Sequence, residues 1–131
     1  MIYLDSAALV KLVRREQSTP ELVAWLNERP GVPLACSALA EVEVPRAIRR
    51  VAPDALPAVP ATLARIYRLE IDAAVRSAAA QLAEPNLRTL DAIHVATAAG
   101  MGAELQAFVT YDQRLLETAR ELGLPVASPG S

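Results

Sequence analysis

Three short apolar runs, Ile2-Tyr3-Leu4, Val32 to Cys36 and Ala107 to Thr110, constrain this chain more than any other feature. Each is followed by a stretch whose apolar side chains recur near helical spacing. Runs this short and apolar suit strands buried on both faces, the condition of a parallel sheet covered by helices. Strands alternating with helices therefore predict an α/β fold with a short, mostly parallel central sheet of four to five strands, flanked by helices on both faces.

Local signals fill in the order. After Leu4, the segment Ala7 to Arg15 places Ala8, Leu9, Leu12 and Val13 on one helical side. Ser18-Thr19-Pro20-Glu21 is a helix-start signal with Pro20 suited to the first turn, and Arg29-Pro30-Gly31 ends that helix. Ser37 is a plausible cap for a helix to about Val51, in which Pro45 predicts a kink or a late effective start. Pro53, Pro57 and Pro60 mark a broken, short-helical connection. Ile66 to Ile71 reads as a third strand and Asp72 to Glu84 as an Ala-rich helix closed by Pro85-Asn86. Thr89 is the expected cap of a helix from Leu90 to Met101, with Gly102 helping to end it. Asp112 to Leu122 reads as an amphipathic helix ended by Gly123, and Pro125-Val126-Ala127 as a final edge strand.

At 131 residues the chain fits one domain, with no internal repeat or low-complexity tract. Apolar residues are 53% of the chain and aromatics only 4%, so Ala, Val and Leu must build the core, with Cys36 and Trp25 as part of it. One cysteine and one histidine disfavour a disulfide, a zinc site and Cys-His catalysis, and a reducing cytoplasm suits the lone thiol. There is no basic leader, and no apolar run approaches the roughly 18 residues needed to cross a bilayer, so the expectation is a soluble, unexported protein. No Gly-rich nucleotide-binding loop is present. The 13 Lys and Arg against 15 Asp and Glu give a net charge of −2, which argues against an avid nonspecific nucleic-acid binder. That objection weakens if several acids share a metal site, where bound cations reverse the local potential.

Ligand crevices in open parallel sheets lie beyond the carboxyl ends of the strands, which directs attention to acids just after strands. Asp5 closes the first run, and Asp112 lies two residues past Thr110. Asp91 falls in a predicted first helical turn. Glu41 and Glu43 both lie on the helix after the second strand. Any single Asp here is first read as a helix cap, whereas four acidic segments at strand ends together suit a site for Mg²⁺ or Mn²⁺.

Several segments together resemble the PIN-domain ribonucleases, specifically VapC-type toxins of bacterial toxin-antitoxin pairs, over essentially the whole chain. They are Met1-Ile2-Tyr3-Leu4-Asp5-Ser6, Cys36-Ser37-Ala38-Leu39 leading to Glu43-Val44 and Arg46-Ala47, Leu87-Arg88-Thr89-Leu90-Asp91-Ala92-Ile93-His94, and Val109-Thr110-Tyr111-Asp112. The resemblance implies a single PIN-like domain over residues 1–131 and a metal-dependent endoribonuclease whose acids are Asp5, Glu43, Asp91 and Asp112. It selects Glu43, six residues after Ser37, and leaves Glu41 on the surface. It also implies an RNA substrate, a VapB-type antitoxin lying across the site, a toxin homodimer and a higher assembly with the antitoxin. Ala7 departs from the pattern, since related toxins often have Ser or Asn there.

Ser6, Arg46 and Thr110 are candidates for contacts to substrate or water. Arg46 and Arg50 share a helical side with Glu43, with a solvated face as the default reading. Thr110 can hydrogen-bond a water or simply end its strand. His94, in an apolar helix, reads as a core histidine with its nitrogens satisfied rather than as a base. The expected chemistry is in-line attack by an ion-activated water, leaving 5′-phosphate and 3′-hydroxyl ends. The competing reading is a catalytically degenerate PIN-like module that binds RNA or a partner, with its acids serving as caps. Aspartyl-phosphate chemistry at Asp5 is disfavoured by Ala7, which removes the Asp-x-Asp pattern.

Overall fold

In a computed structural model describing residues 1–131, the predicted runs form β1 (Ile2–Leu4), β2 (Leu34–Ser37), β3 (Tyr67–Leu69), β4 (Ala107–Val109) and β5 (Val126–Ala127). They pair in the order β3-β2-β1-β4-β5, every pair parallel. β1 is central, with Ile2 opposite both Leu34 and Ala107.

Seven α-helices, with short 3₁₀ helices at Pro53–Ala58 and Gly102–Glu104, complete the chain: α1 (Ser6–Val13), α2 (Thr19–Asn27), α3 (Ala40–Val51), α4 (Val59–Ala64), α5 (Ala73–Ala80), α6 (Thr89–Ala99) and α7 (Gln113–Glu121). The connections from β1 through β2 to β3 step one way across the sheet, and those from β3 to β4 and on to β5 step back. Right-handed crossovers therefore put α1 to α4 on one face and α5 to α7 on the other. Consistent with this, α1 packs on α2, α3 and α4, while α6 packs on α5 and α7.

The core is aliphatic, as the composition predicts, with one aromatic exception. Tyr3 and Phe108, opposite one another on β1 and β4, are fully buried and stacked with centroids 5.3 Å apart at 15°. Cys36 is fully buried. Trp25 is not: it is only partly buried at the core margin, where the Arg29 guanidinium covers its ring at 3.9 Å.

Local readings fail where tertiary pairing competes with them. Ser37 does not cap a helix, because pairing with Leu69 keeps it extended at the end of β2, and α3 starts three residues later. The Ser37 hydroxyl accepts instead from the Leu39 amide at 3.1 Å. α3 then runs through Pro45 rather than beginning after it, held on either side by the fully buried Val44 and Ile48. Thr89 is the first residue of α6, not its cap. That position falls to Arg88, whose side chain makes no capping bond. α5 stops at Ala80, short of Glu84: Leu82 packs back against the core, and Pro85 disfavours helical geometry just before it. No helix is long and apolar enough to cross a membrane.

Phe108→Ala should cost about 3–5 kcal/mol of stability, since it empties a fully packed aromatic position beneath Tyr3. Urea unfolding measures this. A loss below about 1 kcal/mol would mean that the stack does not carry the centre of the sheet.

Candidate active site

The direction of chain crossing reverses between β1 and β4, so the crevice of this fold lies beyond their carboxyl ends. Asp5 directly follows β1, and its amide donates to the Val109 carbonyl at 3.1 Å, extending the β1–β4 ladder to the acid itself. Its carboxylate caps α1 by accepting from the Ala8 amide at 2.9 Å, and only 4% of the residue is exposed. Across the crevice Asp112 caps α7, with Oδ1 accepting from the Arg114 and Leu115 amides at 2.9 and 3.1 Å. Both acids are therefore caps. The two capping bonds to Asp112 fall on Oδ1, leaving Oδ2 without a protein partner.

Asp91 lies in the first turn of α6 and caps nothing. With Asp112 it lines a cleft of about 370 Å³ that also carries Arg88 and Arg114. Glu43 approaches from α3, half-buried. Its Oε1 accepts from the Ser6 hydroxyl at 2.8 Å and lies 2.7 Å from His94 Nε2. The other ring nitrogen of His94 lies 2.7 Å from the Tyr3 hydroxyl, which also accepts from the Ser37 amide at 3.1 Å. His94 is thus the satisfied, buried histidine expected from its apolar helix, at 2% exposure. Sequence reasoning missed its tie to Glu43.

The electrostatics bind these acids into one group. Burial raises the Asp5 pKa above the ordinary carboxylate value; the Thr110 hydroxyl, the Ala8 amide and His94 offset it in part, and the charge of Asp91 adds to it. Burial also raises that of Asp91, reinforced by the charges of Asp112 and Glu43 and opposed by His94 and Arg88. Glu43 moves the other way. Burial penalises its charge, but hydrogen bonds from His94 and Ser6 outweigh that penalty and hold its carboxyl below the usual value. Nearby, burial pushes the Cys36 thiol to about 12, so that cysteine is no nucleophile.

Fit to a hard divalent cation is therefore one of charge and donor chemistry. Carboxylate oxygens that repel one another are relieved by such an ion. The side chains are not pre-set around one point, because no three His, Cys, Asp or Glu groups stand close enough to share an ion.

The remaining candidates divide. Thr110 is fully buried at the end of β4, where its hydroxyl accepts from the Asp112 amide at 3.2 Å and also favours ionised Asp5, so it links the two acids. Arg46 and Arg50 are exposed on α3 and make no ion pair. Glu41 is a surface residue, 3.7 Å from Arg68. Arg88 and Arg114, which sequence reasoning passed over, are the cations that reach the acidic cleft. Their signal was available in their places three residues before Asp91 and two after Asp112.

Comparison with known proteins gives the family. The chain is 55% identical over 132 residues to Ribonuclease VapC35 of Mycobacterium tuberculosis, covering 99% of this chain and 98% of that one. Its fold matches the crystal structure of Mycobacterium tuberculosis VapC20, a sarcin-ricin loop cleaving toxin, with a TM-score of 0.71 at 15% identity, covering 95% and 96% of the two chains. It also matches VapBC2 from Rickettsia felis, solved bound to a DNA fragment from its promoter, with a TM-score of 0.72 at 14% identity, covering 98% and 99%. A family model for the PIN domain matches residues 2–121, and with that match and the likeness to VapC35 the chain belongs to the PIN-domain family, among its VapC-type ribonucleases.

Proposed function

We propose that this protein is a Mg²⁺- or Mn²⁺-dependent endoribonuclease and the toxin of a toxin-antitoxin pair. The observation that carries the reading is the convergence of acids from four segments on one crevice: Asp91 and Asp112 line the same cleft, the charges of Asp112 and Glu43 add to the burial that raises Asp91, and that of Asp91 adds to the burial that raises Asp5. A fold retains such repulsion at a cost, and a cation relieves it.

In this reading Asp5 forms the floor of the site, Asp91 and Asp112 its mouth and Glu43 one wall. When bound, the ion supplies a water of lowered pKa and shields charge on the leaving oxygen. Arg88 and Arg114 meet the phosphates on either side of the cut, since they line the cleft that holds Asp91 and Asp112. Ser6 and Thr110 orient Glu43 and Asp5 through hydrogen bonds and need not touch RNA. The choice of RNA is supported by the names of VapC35 and of the loop-cleaving VapC20. A VapB-type antitoxin is the proposed partner, by likeness to the VapBC2 assembly, together with a toxin homodimer and a cytoplasmic setting in which Cys36 stays a free thiol.

A specific observation favours a second reading, a binding module without catalysis: Asp5 and Asp112 already serve as caps, and no coordination sphere is pre-set. Asp91 separates the two, because it caps nothing. Asp91→Asn should lower Mg²⁺-dependent cleavage of total RNA by about two orders of magnitude or more. The wild-type cuts should bear 5′-phosphate and 3′-hydroxyl ends and vanish with EDTA. Full cleavage by the variant, or cyclic phosphate ends, would overturn the nuclease mechanism.

Stability should move the opposite way. A carboxyl whose folded pKa is raised favours the fold in its protonated form. That contribution is complete below the ordinary value of 3.8 and is lost as pH climbs through the raised value, so at neutral pH ionised Asp91 opposes folding. Asp91→Asn should therefore raise the metal-free melting temperature at pH 7 and leave it little changed at pH 3, read by circular dichroism. A lower melting temperature at pH 7 would mean that the repulsion inferred at Asp91 is absent.

Arg88→Ala and Arg114→Ala should each weaken RNA binding and reduce the slope of log affinity against log salt by about one. Binding at several salt concentrations reads this, with metal-free protein and single-stranded RNA. An unchanged slope would remove either arginine from the phosphate path.

A further inference from the structure

We propose that Tyr3 and His94 form a buried positioning relay that fixes the Glu43 carboxylate in one orientation, an inference that rests on Glu43 being one of the ion-holding acids. Three hydrogen bonds in series, and a fourth that meets them at the carboxylate, support it. The Ser37 amide donates to Tyr3 Oη at 3.1 Å, Tyr3 Oη lies 2.7 Å from His94 Nδ1, and His94 Nε2 lies 2.7 Å from Glu43 Oε1. The Ser6 hydroxyl adds a bond to the same Oε1 at 2.8 Å.

The chain has one consistent direction. A phenol oxygen that accepts from the Ser37 amide keeps its own proton to donate, and His94 Nδ1 is the nitrogen it reaches. The ring then carries its proton on Nε2, aimed at the carboxylate. Moving that proton to Nδ1 alone would set two acceptors, Nε2 and Oε1, against each other at 2.7 Å. Water cannot stand in, because Tyr3 is fully buried and His94 is 2% exposed. Both rings are also wedged: Tyr3 stacks on Phe108 and meets His94 edge-on, at 76° with centroids 5.9 Å apart.

The relay leaves Glu43 divided in a useful way. Both donors fall on Oε1, so Oε2 has no protein partner and is the oxygen free to meet an ion. His94 is one helical turn past Asp91, on the same side of α6. A single rigid helix therefore carries one site acid and orients another that belongs to α3. Hydrogen bonds that orient a ligating group are typically worth about 10–100-fold in metal affinity.

His94 is the only histidine, so ¹⁵N NMR of the imidazole in the full-length, metal-free protein at neutral pH reads a single ring. The proton should be on Nε2 with Nδ1 bare, and Tyr3→Phe should replace this single tautomer by a mixture. A proton on Nδ1 in the wild type, or a spectrum unaffected by Tyr3→Phe, would overturn the relay. Mn²⁺ binding, read from the EPR signal of free Mn²⁺, tests its consequence. His94→Leu and Tyr3→Phe should weaken binding about tenfold or more, while His94→Gln, which keeps an N–H donor for Glu43, should recover most of it. Wild-type affinity in a folded His94→Leu, or failure of His94→Gln to improve on it, refutes the positioning role. If His94→Leu does not fold, Tyr3→Phe keeps both measurements, because its ring still packs. Asp91→Asn distinguishes the two readings: if it loses Mn²⁺ while Tyr3→Phe and His94→Leu keep it, the metal site stands and the relay falls. If the wild type binds no Mn²⁺, the metal reading falls, and the tautomer with its dependence on Tyr3 still decides the relay.

Discussion

Parallel pairing of β1 with β4 is the constraint on which the rest depends. Ile2, Tyr3 and Leu4 lie opposite Ala107, Phe108 and Val109, and the ladder continues one residue further, to the Asp5 amide. The backbone of the most buried acid is therefore held by the sheet. Because right-handed crossovers leave β1 and β4 toward opposite faces, α1 and α7 diverge there and a crevice opens between their starts. Thr110 spans it, accepting from the Asp112 amide and favouring the ionised form of Asp5. Two acids 107 positions apart in the chain become neighbours through three-residue strands.

Capping and site chemistry are not rivals in this geometry. A capping bond engages one carboxylate oxygen at a helix start, where free amides and the helix dipole favour negative charge. Asp112 keeps a second oxygen uncommitted. The helix starts thus hold carboxylates in place at the crevice without exhausting them. The cost appears in Asp5 and Asp91, where burial and neighbouring charges raise the pKa, and the all-parallel sheet and aliphatic core must offset it. Glu43 is the exception among the acids. It is kept charged by donors from α1 and α6, so a carboxylate that no strand end anchors is held by side chains instead.

Much of this was legible locally. The apolar runs, the Pro and Gly signals and the period of the helices sufficed for five strands, six of the seven helices and a sheet covered on both faces, with α4 read only as part of a short-helical connection, and the acids after β1 and β4 stood out by position alone. Ser37 was misread because strand pairing with Leu69 overrode its capping preference, Thr89 lies one residue inside the helix it was expected to cap, and of the two expectations at Pro45 the late start fails, with the buried Val44 and Ile48 holding α3 on either side of it. Trp25 read as core from the apolar side of its helix, and only its place at the margin under Arg29 shows otherwise.

By itself the sequence determined the class of fold and set Asp5 and Asp112 just past strand ends, since strand period, turn chemistry and capping act over a few residues and leave a local trace. Tertiary structure alone decided which side chains those acids meet. Glu43 and His94 are 51 positions apart, and Tyr3 and His94 are 91. Neither pair has a periodicity or spacing that announces it. A histidine in an apolar helix looks the same whether its nitrogens find backbone, water or a site carboxylate. Only the packing of α6 against the sheet, with the first turn of α3 just past β2, brings Tyr3, His94 and Glu43 into one line of hydrogen bonds.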